Sequence, residues 1–218
     1  VIVKLEHCDP KSEEIISAAT AECRLSPRKN EKRIKSIIRA GHMSSLGFAS
    51  AVISVDGISR ACSHQLVRHI FIRYMQQSQR SIAAKPVFII PPLYYLPCPI
   101  ERSDLIDEMV LDCEHAYKRY MYYVSKKVKK EDARYILPAA SSTGMWMSSS
   151  FQGWWDLLYG SRSYIAKEDT KKHKEGDVVM LGASRLDKHA QWEIRDVAHE
   201  IEKVLAKVAP NVFKRNFS

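Results

Sequence analysis

Apolar and polar positions along the chain fall into two recurring spacings, helical and alternating, broken by polar or proline-rich stretches. The opening Val1-Ile2-Val3-Lys4-Leu5-Glu6 is strand-like. From 12 to 40 the pattern turns helical: Ile15, Ile16, Ala19 and Cys23 recur near a period of 3.6, and a second amphipathic stretch covers 32–39. Ser12 is a candidate cap with Glu13 and Glu14 in the first turn. Gly41-His42 breaks the chain; 49–55 is small, branched and partly alternating, which predicts a strand, and Asp56-Gly57 predicts a turn. Residues 58–67 predict a helix with Ile58, Cys62 and Leu66 on one face, and 72–80 a strand or loop over a site. Five prolines make 85–99 an extended connection. A long helix is predicted over 103–130, with Leu105, Met109, Cys113, Ala116, Tyr120 and Val124 in phase. Another is predicted from His189 through Trp192, Val197, Ile201 and Leu205 to Val208. Residues 161–174 are polar and basic without apolar period, as in an exposed basic insertion or mobile loop. With few strands and many helices, the class is α+β in a single domain over 1–218. The sheet is expected from the N-terminal stretch, 49–55 and parts of 70–100.

Composition narrows this reading without redirecting it. The 218 residues are 45% hydrophobic and 27% charged, which excludes disorder, collagen and low-complexity tails. No apolar run approaches the roughly 18–20 residues of a membrane helix, and the start reads as a strand rather than a signal peptide. No membrane association is expected, therefore. Five cysteines without a CxxC pair suggest neither a disulfide framework nor a zinc site; the expectation is mostly buried, reduced thiols and a cytoplasmic location. Thirty-four basic against 25 acidic residues leave a net charge of +9, which favours anionic ligands of any size.

Three segments carry candidate chemistry. In 65–80, three arginines, one histidine, one serine and four glutamines fall within sixteen residues, a dense set of donors suited to a phosphate or a pyrimidine edge. A solvated basic helix is the competing reading, but Phe71 and Ile72 interrupt the polar run and imply partial burial. In 131–138, Arg134 sits between a long helix and Pro138, with an ion pair to Glu131 as its structural alternative. In 185–195, Arg185 and His189 are four apart and can share a helix face. There is no GxGxxG, GxxxxGK or HExxH, so phosphate binding must fall to side chains.

Taken together, these segments resemble the flavin-dependent thymidylate synthases. The family signature R-H-R-x-x-S-x(4)-S-x-R stands here as Arg68-His69-Ile70-x-x-Arg73-x(4)-Ser78-x-Arg80, and 57–67, 131–138, 185–195 and Val208-Ala209-Pro210 are also close to family sequence. The resemblance implies helices around a central, mostly antiparallel sheet, in a homotetramer with active sites at subunit interfaces. It implies FAD as cofactor, NADPH and methylenetetrahydrofolate as co-substrates, and dUMP as the substrate converted to dTMP. By the same resemblance Arg185 favours the N3-deprotonated uracil and activates C5. Gln65, Leu66, Val67, Arg68, Gln76, Gln77, Ser78, Gln79, Arg80 and Arg134 join Arg185 in holding dUMP. Ser44, Arg68, His69, Gln76 and His189 would contact FAD.

The chain departs from the family on the flavin side: Ile70 replaces an arginine, Arg73 a serine and Gln76 an acid. Leu46-Gly47-Phe48 replaces Leu-Glu-His, Ser150-Phe151-Gln152 replaces Asn-Ala-Arg, and Asp156 replaces an asparagine. Arg73 or the basic stretch 167–174 can supply the missing charge. The alternatives are a relative that binds or methylates another uridine nucleotide or has lost catalysis, and, last, a basic nucleic-acid-binding protein. The latter needs aromatics such as Tyr74 and Trp154-Trp155 on an open face, and it gives no reason for Arg185 and Ser78-x-Arg80 to occur as a set.

Overall fold

A computed structural model describes residues 1–23, 25–27, 32–160, 162–164, 178–180 and 184–213. The fold is α+β. Its main sheet is antiparallel and has four strands in the order β1-β2-β4-β3: β1 Ile2–Cys8, β2 Ser50–Ser59, β3 Arg73–Gln76 and β4 Ser142–Ser150. The two central strands show why they are central. In β2, Ala51, Ile53 and Val55 are buried, alternating with half-exposed Val52 and Ser54; in β4, Thr143, Met145, Met147 and Ser149 are buried on every second position. Two corrections belong here. β2 does not turn at Asp56-Gly57 but runs on to Ser59, and Gly57 absorbs the local irregularity with a φ of 72° that a side chain would resist. β4 and the helix after it were not predicted at all.

By the density of its internal contacts the chain forms two units. One comprises 1–2, 56–68 and 75–145. It contains α3 (Arg60–Leu66), α4 (Pro99–Ser125), α5 (Lys130–Ala133) and a 3-10 turn, Arg134–Ile136. The predicted helix at 58–67 starts two residues later than expected, since Ser59 Oγ accepts the Cys62 N–H at 2.9 Å and so caps α3. Ile58, Cys62 and Leu66 are all fully buried, as their spacing required. The long helix stops at Ser125, short of 130, and of its predicted inner face only Cys113 and Tyr120 are buried. Residues 85–98 form neither helix nor strand beyond one bridge, Phe88 to Ser141.

The other unit comprises the described residues of 3–55, 69–74 and 146–213. It holds α1 (Ser12–Glu22), α2 (Arg33–Arg39), a 3-10 turn at Met43–Phe48, α6 (Phe151–Tyr159), α7 (Trp192–Val208) and α8 (Pro210–Phe213). α1 and α6 both pack on the 3-10 turn, and α8 packs on α2 and α7. Seven of the nine residues of α6 are buried, with Phe151 meeting Phe213 edge-on at 5.0 Å and Trp154 Nε1 donating to the Ala51 carbonyl. Ser12 begins α1 instead of capping it, its hydroxyl donating to the Asp9 carbonyl. Glu13 is tied by two 2.7 Å bonds to the backbone and side chain of Asn211. α7 begins three residues after His189, because Gln191 Oε1 accepts the N–H groups of Glu193 and Ile194.

Of the expected insertion, 162–164 form β5 and pair antiparallel with β6, Val178–Met180; the remainder of 161–174 lies outside the described residues. The cysteines are less buried than expected: only Cys62 and Cys113 are buried, while Cys23 and Cys98 are exposed. No described helix is long and apolar enough to cross a membrane, and no metal-holding group of His, Cys, Asp and Glu occurs among the described residues.

Candidate functional site

The predicted site residues separate into two clusters, one per unit. In the first unit, α3 ends at Leu66, which is fully buried; Gln65 is half-buried, Val67 and Arg68 are exposed. The chain re-enters at Met75, runs through Gln76 at the end of β3 and then leaves the sheet. The competing basic helix over 65–80 is therefore excluded. The half-buried Gln76 donates from Nε2 to Thr143 Oγ1 at 3.3 Å, and the Gln77 N–H donates to the Gly144 carbonyl at 3.1 Å, which fixes the register of the turn that follows. Ser78 Oγ then accepts the Arg80 N–H at 3.2 Å.

Arg80 is exposed and its Nε donates to Glu131 Oε2 at 2.9 Å. Glu131 thus spends its carboxylate on Arg80, and Arg134, for which an ion pair with Glu131 was the structural alternative to ligand binding, donates instead to the Glu131 backbone carbonyl at 3.1 Å. Arg60 was not singled out from the sequence. Its guanidinium reaches toward the Gln77 carbonyl and Thr143 Oγ1 at 3.4 and 3.5 Å, and burial, then repulsion from Arg134, pushes its pKa below the ordinary arginine value. Two cations that repel one another mark a place where an anion is welcome. The signal in sequence was Ser59 before Arg60, a cap that starts α3 at this residue.

A cleft of about 400 Å³ opens beside this cluster, lined among others by Gln77, Ser78, Gln79, Lys85, Ser141 and Thr143. Its volume is that of a small-molecule site. Ser141 Oγ in its wall is buried and has no hydrogen-bond partner among the described residues, a donor and acceptor left for a ligand or water.

In the second unit, α6 ends at Tyr159 with carbonyls that need donors. The Arg185 N–H gives one to Leu157 at 3.1 Å, and Ser184 Oγ donates to the Leu158 carbonyl. Leu186 behind it is 5% exposed and pins the strap. From there the half-buried Arg185 donates from Nε to His69 Nε2 at 2.8 Å. Burial first, and then the Arg185 charge, depress the His69 pKa to about 4, so the imidazole is neutral, with the proton on Nδ1 and a lone pair for Arg185. Tyr74 donates from its hydroxyl to the His69 carbonyl at 3.2 Å, and burial holds that phenol above its ordinary pKa. Ser149 Oγ donates to the Phe71 carbonyl at 2.8 Å, which anchors the segment carrying His69.

Sequence reasoning did not pair His69 with Arg185. It paired Arg185 with His189 on a helix face, and this is corrected: 185–190 are turns, His189 is exposed, and its N–H is held by Asp187 Oδ1 at 2.8 Å. Ser44 is exposed on the 3-10 turn. Trp154 and Trp155 are core residues and offer no stacking face.

On the flavin side, Ser150 is occupied as the cap of α6, accepting the Gly153 N–H at 3.3 Å. Asp156 is half-buried, and burial raises its pKa to about 6. Ile70 and Phe71 are 76% and 67% exposed, and Arg68 and Arg73 are exposed cations in no ion pair among the described residues. Each exposed guanidinium is by its chemistry suited to a phosphate.

Comparison with known proteins gives the family. Residues 4–211 match the family described as Thymidylate synthase complementing protein. The chain is 30% identical to the flavin-dependent thymidylate synthase of Pyrococcus horikoshii over 185 residues, which are 84% of this chain and 66% of that protein. It is 28% identical to the enzymes of the same name from Clostridium tetani and Geobacter sulfurreducens, each over 98% of this chain and 86% and 85% of theirs. The match extends over the signature, the Arg134 segment and the Arg185 strap alike, and the chain belongs to the thymidylate synthase complementing protein family.

Proposed function

We propose that the protein is a flavin-dependent thymidylate synthase, methylating dUMP reductively to dTMP with methylenetetrahydrofolate as carbon donor and NADPH as reductant by way of FAD. The observation that carries this reading is the Arg185–His69 bond. A half-buried guanidinium held by a neutral imidazole keeps its full positive charge uncompensated, as a group must if it is to favour an anionic uracil ring and so activate C5. Arg80 and Arg134, with Arg60 beside them, take the phosphate, and Gln76, Gln77, Ser78 and Gln79 orient the nucleotide. Gln65, Leu66, Val67 and Arg68 complete the dUMP set.

Bound FAD supplies the two-electron relay between the reduced nicotinamide and the one-carbon unit. Ser44, Arg68, His69, Gln76 and His189 hold it, and Arg73 makes up charge lost at Ile70. A cytoplasmic homotetramer with sites at subunit interfaces rests on the family resemblance.

The second reading, a uridine-nucleotide-binding relative without flavin chemistry, is favoured by one observation: Ser150 Oγ is already committed to capping α6. The visible absorption spectrum separates the two. Purified protein given FAD and dUMP and then freed of unbound ligand is expected to keep a flavin band and to form dTMP when the co-substrates are added. Retained dUMP without the band establishes the second reading.

A further inference from the structure

The C-terminal half of α4 and the residues that follow it carry one sign of charge. From His115 to Lys130 the chain has six lysines and arginines and no acid. His115, Lys118, Arg119, Tyr122 and Lys126 stand at i, i+3, i+4, i+7 and i+11, so they share one face of the helix, opposite the buried Cys113 and Tyr120. All five are exposed, Tyr122 by 48%. Lys127 and Lys129, also exposed, carry the charge on past the helix end.

Rings and cations are interleaved on this face. The Arg119 guanidinium lies 5.1 Å from the centre of the Tyr122 ring and 5.3 Å from that of Tyr123, and its Nη2 donates to the Tyr123 hydroxyl at 3.2 Å. The Lys126 ammonium also approaches the Tyr122 ring, at 5.7 Å, so one ring holds two cations. Among the described residues Lys118, Arg119, Lys126, Lys127 and Lys129 are in no ion pair, although Glu114 stands one turn before Lys118. The helix dipole accounts for a cation at the last turn, but Lys118 and Arg119 lie nearly two turns inside. Five uncompensated cations in a row suit an anionic partner whose own charges are spaced along a line.

We propose that this face of α4 binds single-stranded nucleic acid. From His115 to Lys126 the row is about 16 Å long at 1.5 Å per residue, room for about five phosphates of one strand at 3.4 Å each. A membrane surface asks for an apolar face to bury beside the cations, whereas the group set among them here is a tyrosine ring against an arginine plane. Ring and guanidinium stack unpaired bases, and a duplex keeps its bases from them. Trp154 and Trp155 are in the core, so Tyr122 with Arg119 is the stacking platform, and the lysines on either side track the backbone. This is a second function, independent of the catalytic reading, since none of these residues belongs to the nucleotide or flavin sets.

The test is the fluorescence anisotropy of a labelled oligodeoxyadenylate of about 20 nucleotides, which offers no pyrimidine to the catalytic site, titrated with the whole chain at several salt concentrations. Affinity is expected to fall with salt at a log–log slope of about 2–3.5, for three to five phosphates at roughly 0.7 each. Lys118→Ala with Lys126→Ala is expected to weaken binding about tenfold at low salt and to lower the slope by about 1.4. Tyr122→Ala is expected to weaken it about tenfold at every salt concentration with the slope unchanged, which separates stacking from charge. A duplex of the same length is expected to bind at least tenfold more weakly than the single strand, and excess dUMP is expected to displace nothing. A wild type that leaves the oligonucleotide free at low salt, variants that bind as the wild type does, equal affinity for the duplex, or displacement by dUMP would each overturn the proposal.

Discussion

Arg80 and Arg185 are both arginines of the predicted ligand set, and the structure gives them opposite partners. Arg80 is exposed and faces the carboxylate of Glu131 at 2.9 Å, so its charge is largely balanced before any ligand arrives and is screened by water. Arg185 is half-buried and faces the neutral ring of His69 at 2.8 Å, so its charge is fixed in direction and left unbalanced. The first arrangement suits a phosphate, which needs a cation that can exchange one anionic partner for another. The second suits a ring that must be held in its anionic form to react, where a counter-charge fixed in place favours that form without having to reorganise. The same residue type is thus tuned by its partner and not by its own chemistry.

The largest effect should come from the unbalanced charge. Arg185→Lys keeps the charge but loses the Nε–His69 bond and the fork, and kcat is expected to fall about 10²–10³-fold, the scale of losing one electrostatic stabiliser. Turnover within tenfold of wild type would show that Arg185 works through binding alone. His69 comes next, as the group that aims Arg185. His69→Phe removes the acceptor and should lower kcat about tenfold or more, whereas His69→Gln, which can still accept from Nε, should recover part of it. Equal loss in both variants would reduce His69 to packing.

A smaller effect is expected on the balanced side. Arg80→Ala should raise the dUMP dissociation constant about tenfold, since one charge-assisted bond is worth roughly 1.5–3 kcal/mol and exposure discounts it. Glu131→Gln should tighten dUMP binding modestly by freeing Arg80, with kcat unchanged, as titration calorimetry would read. If Glu131→Gln weakens binding, the carboxylate positions Arg80 rather than competing for it.

The two clusters also differ in how far the sequence disclosed them. Ser78-x-Arg80 and Arg134 are legible because they act locally, within a few residues of a turn or a helix end. The His69–Arg185 bond is not, because it joins positions 116 apart and the strap is placed by carbonyls of α6. That helix was itself missed: Phe151–Tyr159 is a short, mostly apolar run of nine residues with Gly153 inside it, and periodicity alone does not tell such a run from a buried strand. β4 was missed because its serines and glycine have poor strand propensity and because Met145-Trp146-Met147 is continuously apolar, which hides the alternation that buries both methionines and exposes Trp146. β1 and β2, with branched residues in alternation, were found.

The smallest effect is on stability against pH, and it turns on two groups of the second unit with opposite slopes. His69 has its pKa lowered from 6.5 to about 4, so the unfolded chain binds the extra proton between those values, and the stability His69 contributes is full above about 6.5 and is lost as pH falls toward 4. Asp156 has its pKa raised from 3.8 to about 6, so its contribution is full below about 3.8 and is lost as pH rises through 6. Across pH 4–6 the two oppose one another, and the wild-type stability curve from these groups is nearly flat. Asp156→Asn removes one slope. It should stabilise the protein at pH 7 by about 1 kcal/mol, after discounting the shift for solvent screening, and leave stability that falls visibly on acidification. Urea titrations at pH 4.5, 5.5 and 7 would show this, and a curve that stays flat in the variant would mean that burial and the Arg185 charge do not hold His69 neutral in the folded state.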